Sequence, residues 1–156
     1  YINSKISSSK YETIEMSDKI QYKYYEGRWA VLPNFINMTP KRIGTTDKFS
    51  LEGLEYSELY FGFVMHGYVS VENAGNYTFY TATNDGSKLL VDNVEIIDND
   101  GAHGTIEKSG KVYLEKGKHL IELRYFQAGG GKAMKVFWKG PNFEKREMTK
   151  EDLSGN

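Results

Sequence analysis

Oxygen-bearing side chains are concentrated in two glycine-bearing turns, Asn84-Asp85-Gly86-Ser87 and Asp98-Asn99-Asp100-Gly101, each set between short alternating apolar runs. Turns of this kind on a rigid sheet suit a polyol or a hard cation, which takes roughly six to eight oxygens from carboxylates, amides and backbone carbonyls. Asn84 and Asp85 could supply two adjacent ligands. The same residues also make a favourable turn with no ligand, because asparagine and aspartate tolerate left-handed backbone and glycine removes the Cβ clash. Pattern alone leaves both readings open, the plain turn being the simpler.

The Asp98 turn is faintly similar to the opening of a helix-flanked calcium loop, but Ser109 stands where the twelfth-position glutamate belongs and no helix precedes it. It is expected to lend a ligand at most. Asp98 and Asp100 are close only in sequence, whereas paired catalytic carboxylates need a cleft and separated roles. His66, His103 and His119 fall in three different segments, without the close spacing of a zinc helix. His103 follows the acidic turn and is expected to satisfy its own loop or a neighbouring carboxylate, while His66 and His119 read as strand residues with structural partners.

Gln127-Ala128-Gly129-Gly130-Gly131-Lys132 is a glycine-rich loop, yet a phosphate cradle requires a following helix, and Met134-Lys135-Val136-Phe137 reads as a strand. Two readings remain for it, a hairpin tip and a loop that lets a sugar approach the backbone closely. Tyr24, Tyr25 and Trp29 could form a sugar-stacking platform. Their structural alternative is that Trp29, with Leu32 and Phe35, closes one end of the core.

These turns need a scaffold, and the remaining pattern supplies strands. Ile20 to Tyr25 alternates, Leu59 to Val71 is long and aromatic with Phe61, Phe63 and Met65 on one face, and Tyr77 to Thr81 returns after Glu72-Asn73-Ala74-Gly75 as the other arm of an expected hairpin. Leu89 to Val91 and Val94 to Ile97 flank the Asp92-Asn93 turn. Lys111 to Glu115 and His119 to Phe126 are expected to pair around Lys116-Gly117, and Met134, Val136 and Trp138 form a last strand before Gly140-Pro141. The fold class is therefore all-β, an antiparallel sandwich or barrel of about eight to ten strands. A short helix start at Thr149, with Asp152 three residues on, is the one helical signal.

The chain has 156 residues, no cysteine, 20 basic against 21 acidic residues, 16 glycines and 12 tyrosines. This size suits one domain. The balanced charge provides no broad field for nucleic acid or an anionic membrane, and no run approaches the ~20 apolar residues of a bilayer-spanning helix. The absence of cysteine removes disulfides, thiolate nucleophiles and cysteine-ligated zinc. Residues 1–19 read as a linker with one candidate edge strand, and residues 20–153 as a single β-sandwich domain. A start at Tyr1, with the first methionine at Met16, suggests a piece of a longer or processed protein.

Together, Tyr24-Tyr25-Glu26-Gly27-Arg28-Trp29 with Leu32-Pro33-Asn34-Phe35, Phe61-Gly62-Phe63, Gly67-Tyr68, Gly75-Asn76-Tyr77-Thr78-Phe79, Asn84-Asp85-Gly86-Ser87-Lys88-Leu89, the Asp98 to His103 loop, the Val112 to His119 segment, Tyr125-Phe126 and Gly140-Pro141 resemble, in order, the protective-antigen (PA-fourteen) domain family. The resemblance implies a noncatalytic β-sandwich module of secreted glycosidases, adhesins and toxins, often carbohydrate-binding and extracytoplasmic. In its flocculin-like lectins, two consecutive aspartates joined by a cis peptide hold a calcium ion that holds the sugar. Here the pair is Asn84-Asp85, so one carboxylate is replaced by an amide.

The resulting expectation is a carbohydrate-binding accessory module from a larger glycoside hydrolase, with a β-hexosaminidase-like parent suggested by family habit. Its site residues are Asp85, Asn84, Asp100, Gln127 and Lys132, with Asn84 and Asp85 also as calcium ligands. Its partners are a glycan and neighbouring domains of the same protein. The alternative is a structural module that packs against a catalytic domain and binds no sugar.

Overall fold

The computed structural model describes residues 18–154. The expected linker and edge strand over residues 1–19 thus lie outside the described residues, apart from Asp18 and Lys19. Ten strands run through the described residues: β1 (Ile20–Glu26), β2 (Arg42–Thr46), β3 (Phe61–Val71), β4 (Gly75–Asn84), β5 (Ser87–Val91), β6 (Val94–Asn99), β7 (Ile106–Leu114), β8 (Gly117–Gln127), β9 (Ala133–Gly140) and β10 (Phe143–Glu147). They form a six-stranded sheet, β2-β1-β3-β8-β5-β6, and a four-stranded sheet, β10-β9-β4-β7, both antiparallel. The chain is an all-β sandwich, as expected.

The alternation in β3 turns Phe61, Phe63, Met65, Val69 and Val71 inward, where they meet Tyr77 and Phe79 of β4, Ile121, Leu123 and Tyr125 of β8, and Met134, Val136 and Trp138 of β9. That shared interior gives the two sheets their stability, since neither could bury its apolar face alone. The opposite face of the six-stranded sheet is also covered locally. Tyr25, Phe35 and Val64 form a separate cluster with Trp29, Leu32 and Met38 around a 3-10 turn at Phe35–Asn37. Trp29, Leu32 and Phe35 therefore cap the outside of a sheet, and do not close an end of the main core.

Strand pairing departs from the sequence expectation at two places. β3 pairs with β8, and β4 with β7 and β9, so the turn at Glu72–Gly75 and the turn at Lys116-Gly117 carry the chain between sheets. A tight turn serves a sandwich corner as well as a hairpin, and local pattern carries no partner information. The Asp92-Asn93 hairpin does form, with φ of +51° and +68° at its two residues, the left-handed pair that suits a two-residue hairpin. The Gly-rich loop likewise joins strands of different sheets and is no hairpin tip.

Strand register fixes which loops share an end. Phe61 lies opposite Gln127, Ser87 opposite both Tyr125 and Asn99, and Asn84 opposite Ala133. The loops following β4, β6 and β8 therefore gather at one end with the segment entering β3. The other end holds the β3–β4 corner, the β9–β10 turn and a short helix, α1 (Lys150–Ser154). The Thr149 amide donates to Asp152 Oδ2 at 2.8 Å, the helix start anticipated from sequence, and Leu153 is buried in the main core.

Candidate functional site

Asn84 and Asp85 stand where β4 leaves the four-stranded sheet, joined by a cis peptide bond. Asp85 is only 5% exposed. Its Oδ1 accepts the backbone N–H of His103 at 2.9 Å, and its Oδ2 accepts that of Ala128 at 2.7 Å. One carboxylate thereby ties the β6–β7 loop to the β8–β9 loop. Charge-assisted bonds of this kind are the stronger class, and they order two segments that have no sheet pairing of their own.

Asn84 reinforces the same junction. With its amide nitrogen turned toward the loops, it donates to His103 O at 3.2 Å and Gly131 O at 3.1 Å. With its oxygen turned there, three oxygens face one another with no hydrogen between them, a crowding that a cation would relieve. Tyr125, buried below, donates its hydroxyl to Asn84 O at 2.6 Å. Burial first, and then the Asp85 charge, raise the Tyr125 phenol well above the ordinary value, so it remains a donor.

Gly86 makes the close approach of the β6–β7 loop feasible. A Cβ at this position would lie 2.6 Å from the Phe126 ring and 2.8 Å from both the nitrogen and the oxygen of Gly101. Asp100 then anchors the long β1–β2 connection, its Oδ1 accepting Gly101 N at 2.7 Å and Leu32 N at 2.9 Å. Gln127 is fully buried. Its Oε1 accepts the Tyr60 amide at 3.1 Å and its Nε2 donates to Gly130 O and Gly131 O at 3.3 and 3.4 Å. Tyr60 is held at φ +63°, uncommon for a bulky residue, with Arg28 over its ring.

The structure therefore brings Asn84, Asp85, Asp100 and Gln127 to one end of the sandwich, each bonded to backbone of neighbouring loops. Lys132 is at the same end, where its ammonium lies 3.9 Å from Glu58. His103 satisfies its own loop through Gly104 O and Asn99 O, His66 pairs with Glu122, and His119 pairs with Asp92. The aromatic platform does not assemble. Tyr24 and Tyr25 are buried, and Trp29 packs edge-on against Phe35. Burial and the bond to Glu26 push the Tyr24 phenol up to about 12.

A polar network beneath the turn escaped sequence reasoning. Thr81, Thr83, Ser87 and Asn99 are all fully buried between the sheets. Thr83 and Ser87 hydroxyls meet at 2.8 Å, and Asn99 Nδ2 donates to Ile106 O at 2.9 Å. The available signal was that Thr81 and Thr83 continue the inward register of Tyr77 and Phe79.

Among the described residues, no group of three or more histidine, aspartate or glutamate side chains converges on a metal position. A cation here would rely on Asp85, the Asn84 amide oxygen and the carbonyls of His103 and Gly131. That donor set is rich in oxygen and carries one carboxylate, so it fits a hard cation held weakly.

The sandwich, its order of strands and its loop crown define a β-sandwich module of the protective-antigen type. The sequence profile of the PA14 domain matches residues 20–152, and the chain belongs to that family. A curated relative, the anti-sigma-I factor RsgI3 of Acetivibrio thermocellus, is 34% identical over 88 residues, covering 56% of this chain and 14% of that protein. Among solved structures, an anti-sigma factor domain-containing protein has a TM-score of 0.74 at 22% identity, over 90% of this chain and 48% of that one. The PA14 domain of the MpAFP antifreeze protein gives 0.73 at 14%, over 92% and 94%. A PA14 sugar-binding domain from an RTX adhesin gives 0.62 at 15%, over 90% and 99%. At such identities the solved structures establish the fold. The chain spans a small fraction of the curated relative.

Proposed function

We propose that this domain is a noncatalytic carbohydrate-binding module whose contact surface is the loop crown around Asn84 and Asp85. The observation that carries the reading is the convergence of the Asn84 side-chain amide with the His103 and Gly131 carbonyls, on the two loops that the Asp85 carboxylate ties together. Asp85, Gln127 and Asp100 position the three loops, Asp85 and the Asn84 amide oxygen would hold the ion, and Lys132 offers a donor at the rim. Bound calcium supplies an electrophilic centre for sugar hydroxyls. The sugar-binding title of the RTX adhesin domain supports the same reading by analogy of fold.

The parent is proposed as a regulator of the anti-sigma class carrying this module outside the cytoplasm. The 34% identity to RsgI3 supports that parent, and no relative described above favours a β-hexosaminidase-like enzyme. A structural role remains as the second reading, favoured by the saturation of Asp85 and Gln127 with internal bonds.

Calorimetry of the 156-residue chain against a panel of mono- and disaccharides, with and without calcium, separates the two. Calcium-dependent heat that Asp85→Asn weakens supports the carbohydrate module. Flat titrations across the panel in both conditions leave the structural role.

A further inference from the structure

Tyr60, the residue before β3, keeps a left-handed backbone with φ at +63°. Bulky residues adopt that region only where their surroundings impose it, and such residues gather in ligand-binding segments. Three contacts impose it here. The Tyr60 amide donates to buried Gln127 Oε1 at 3.1 Å, its carbonyl accepts the Gly27 amide at 3.0 Å, and the Arg28 guanidinium lies 4.4 Å from its ring centre.

Gln127 places this pair beside the crown, because its Nε2 donates to Gly131 O, the carbonyl that the Asn84 amide also faces. Contacts thus run without a break from Asn84 through Gly131 and Gln127 to Tyr60 and Arg28. Lys132, next to Gly131, stands on the same edge, 3.9 Å from Glu58, whose side chain is 93% exposed. A pair that long and that exposed holds its lysine loosely.

Arg28 is exposed, and among the described residues no carboxylate pairs with it. The other three arginines of the chain, Arg42, Arg124 and Arg146, each bond an oxygen. A guanidinium carries five donors in a rigid fork and no acceptor, so the partner that completes it is an oxyanion taking two parallel bonds.

We propose that Arg28, braced on Tyr60, determines the specificity of the crown, and that the ligand is an acidic saccharide whose carboxylate or sulfate ester takes the guanidinium fork, with Lys132 as a second cation. The inference rests on the carbohydrate reading of the crown.

The test is calorimetry of the 156-residue chain in calcium with two matched trios: D-galactose, D-galacturonic acid and D-galactose 6-sulfate, then D-glucose, D-glucuronic acid and D-glucose 6-sulfate. At least one acid or sulfate ester is expected to bind about tenfold more tightly than its neutral parent. An advantage confined to the acids identifies a carboxylate as the anion, and one confined to the esters identifies a sulfate. Arg28→Gln is expected to abolish the advantage and leave binding of the neutral sugar unchanged, while Arg28→Lys, which keeps the charge without the fork, retains part of it. Equal affinities within each trio, or an advantage that survives Arg28→Gln, overturn this inference and leave the carbohydrate reading standing. Flat titrations with all six sugars overturn both.

Discussion

Asp85 and Ala128 are 43 positions apart in sequence and meet through one hydrogen bond of 2.7 Å, backbone amide to carboxylate. The other oxygen of Asp85 holds the His103 amide. Removing the side chain leaves two amides without acceptors at a buried position, each costing about 1–3 kcal/mol if no water replaces the carboxylate. Asp85→Ala is therefore expected to lower stability by about 2–4 kcal/mol in urea denaturation, and Asp85→Asn by less, since an amide oxygen still accepts one bond. Equal losses in the two variants would mean that the carboxylate is not the tie between these loops.

Gly86 sets how closely the acidic loop approaches β8. Alanine there would push against the Gly101 backbone, which has no flexible side chain to yield. Gly86→Ala should cost about 1–3 kcal/mol, with faster amide exchange across residues 99–104 as the loop lifts. Unaltered exchange in that segment would show that the loop is held from elsewhere.

Much of the scaffold was legible because alternation reports which face of a strand is inward. Phe61, Phe63 and Met65 declared the core side of β3, and Asp92-Asn93 declared a hairpin. β10 was missed because Phe143–Glu147 is charged and mostly exposed, and β2 because Arg42–Thr46 is an edge strand whose Ile43 faces solvent. Partner choice was illegible for a different reason: β3 finds β8 across a long intervening chain, and no local feature encodes that. At the crown, residue types signalled oxygen-rich loops. Whether Gln127 faces a ligand or the Tyr60 amide depends on loops far apart in sequence, and the structure shows the amide.

Stability should also depend on acid through Glu122. Burial by itself would raise this carboxyl, but hydrogen bonds and charge from His66, its cross-strand partner at 3.1 Å, and from Arg124 outweigh burial and lower it. A folded value below the unfolded one means that the unfolded chain binds more protons in acid. The contribution is complete above the ordinary value of 4.5 and disappears as pH falls from there through the lower folded value. Urea midpoints measured from about pH 6 to about pH 3 should decline, and Glu122→Gln should decline less steeply over that window. Parallel curves for the two proteins would assign the acid sensitivity to other carboxyls.

Asn84 decides how much charge the crown offers a cation. With the asparagine amide, Asp85 provides the only carboxylate of the pair, and the Asn84 nitrogen already satisfies the His103 and Gly131 carbonyls, so an ion must compete with two hydrogen bonds. Asn84→Asp removes that competition and adds a second negative oxygen donor, both of which favour a hard cation. Without metal, the new carboxylate faces two carbonyl oxygens and has no hydrogen to give them, so the variant should melt at a lower temperature than the parent in chelator. With calcium the order should reverse, because a ligand that binds the folded state alone raises the melting temperature with its concentration. Calcium affinity is expected to improve on the order of tenfold over the parent. Identical melting curves for Asn84→Asp in chelator and in calcium would remove the crown as a cation site and leave Asn84 and Asp85 as braces for the loops.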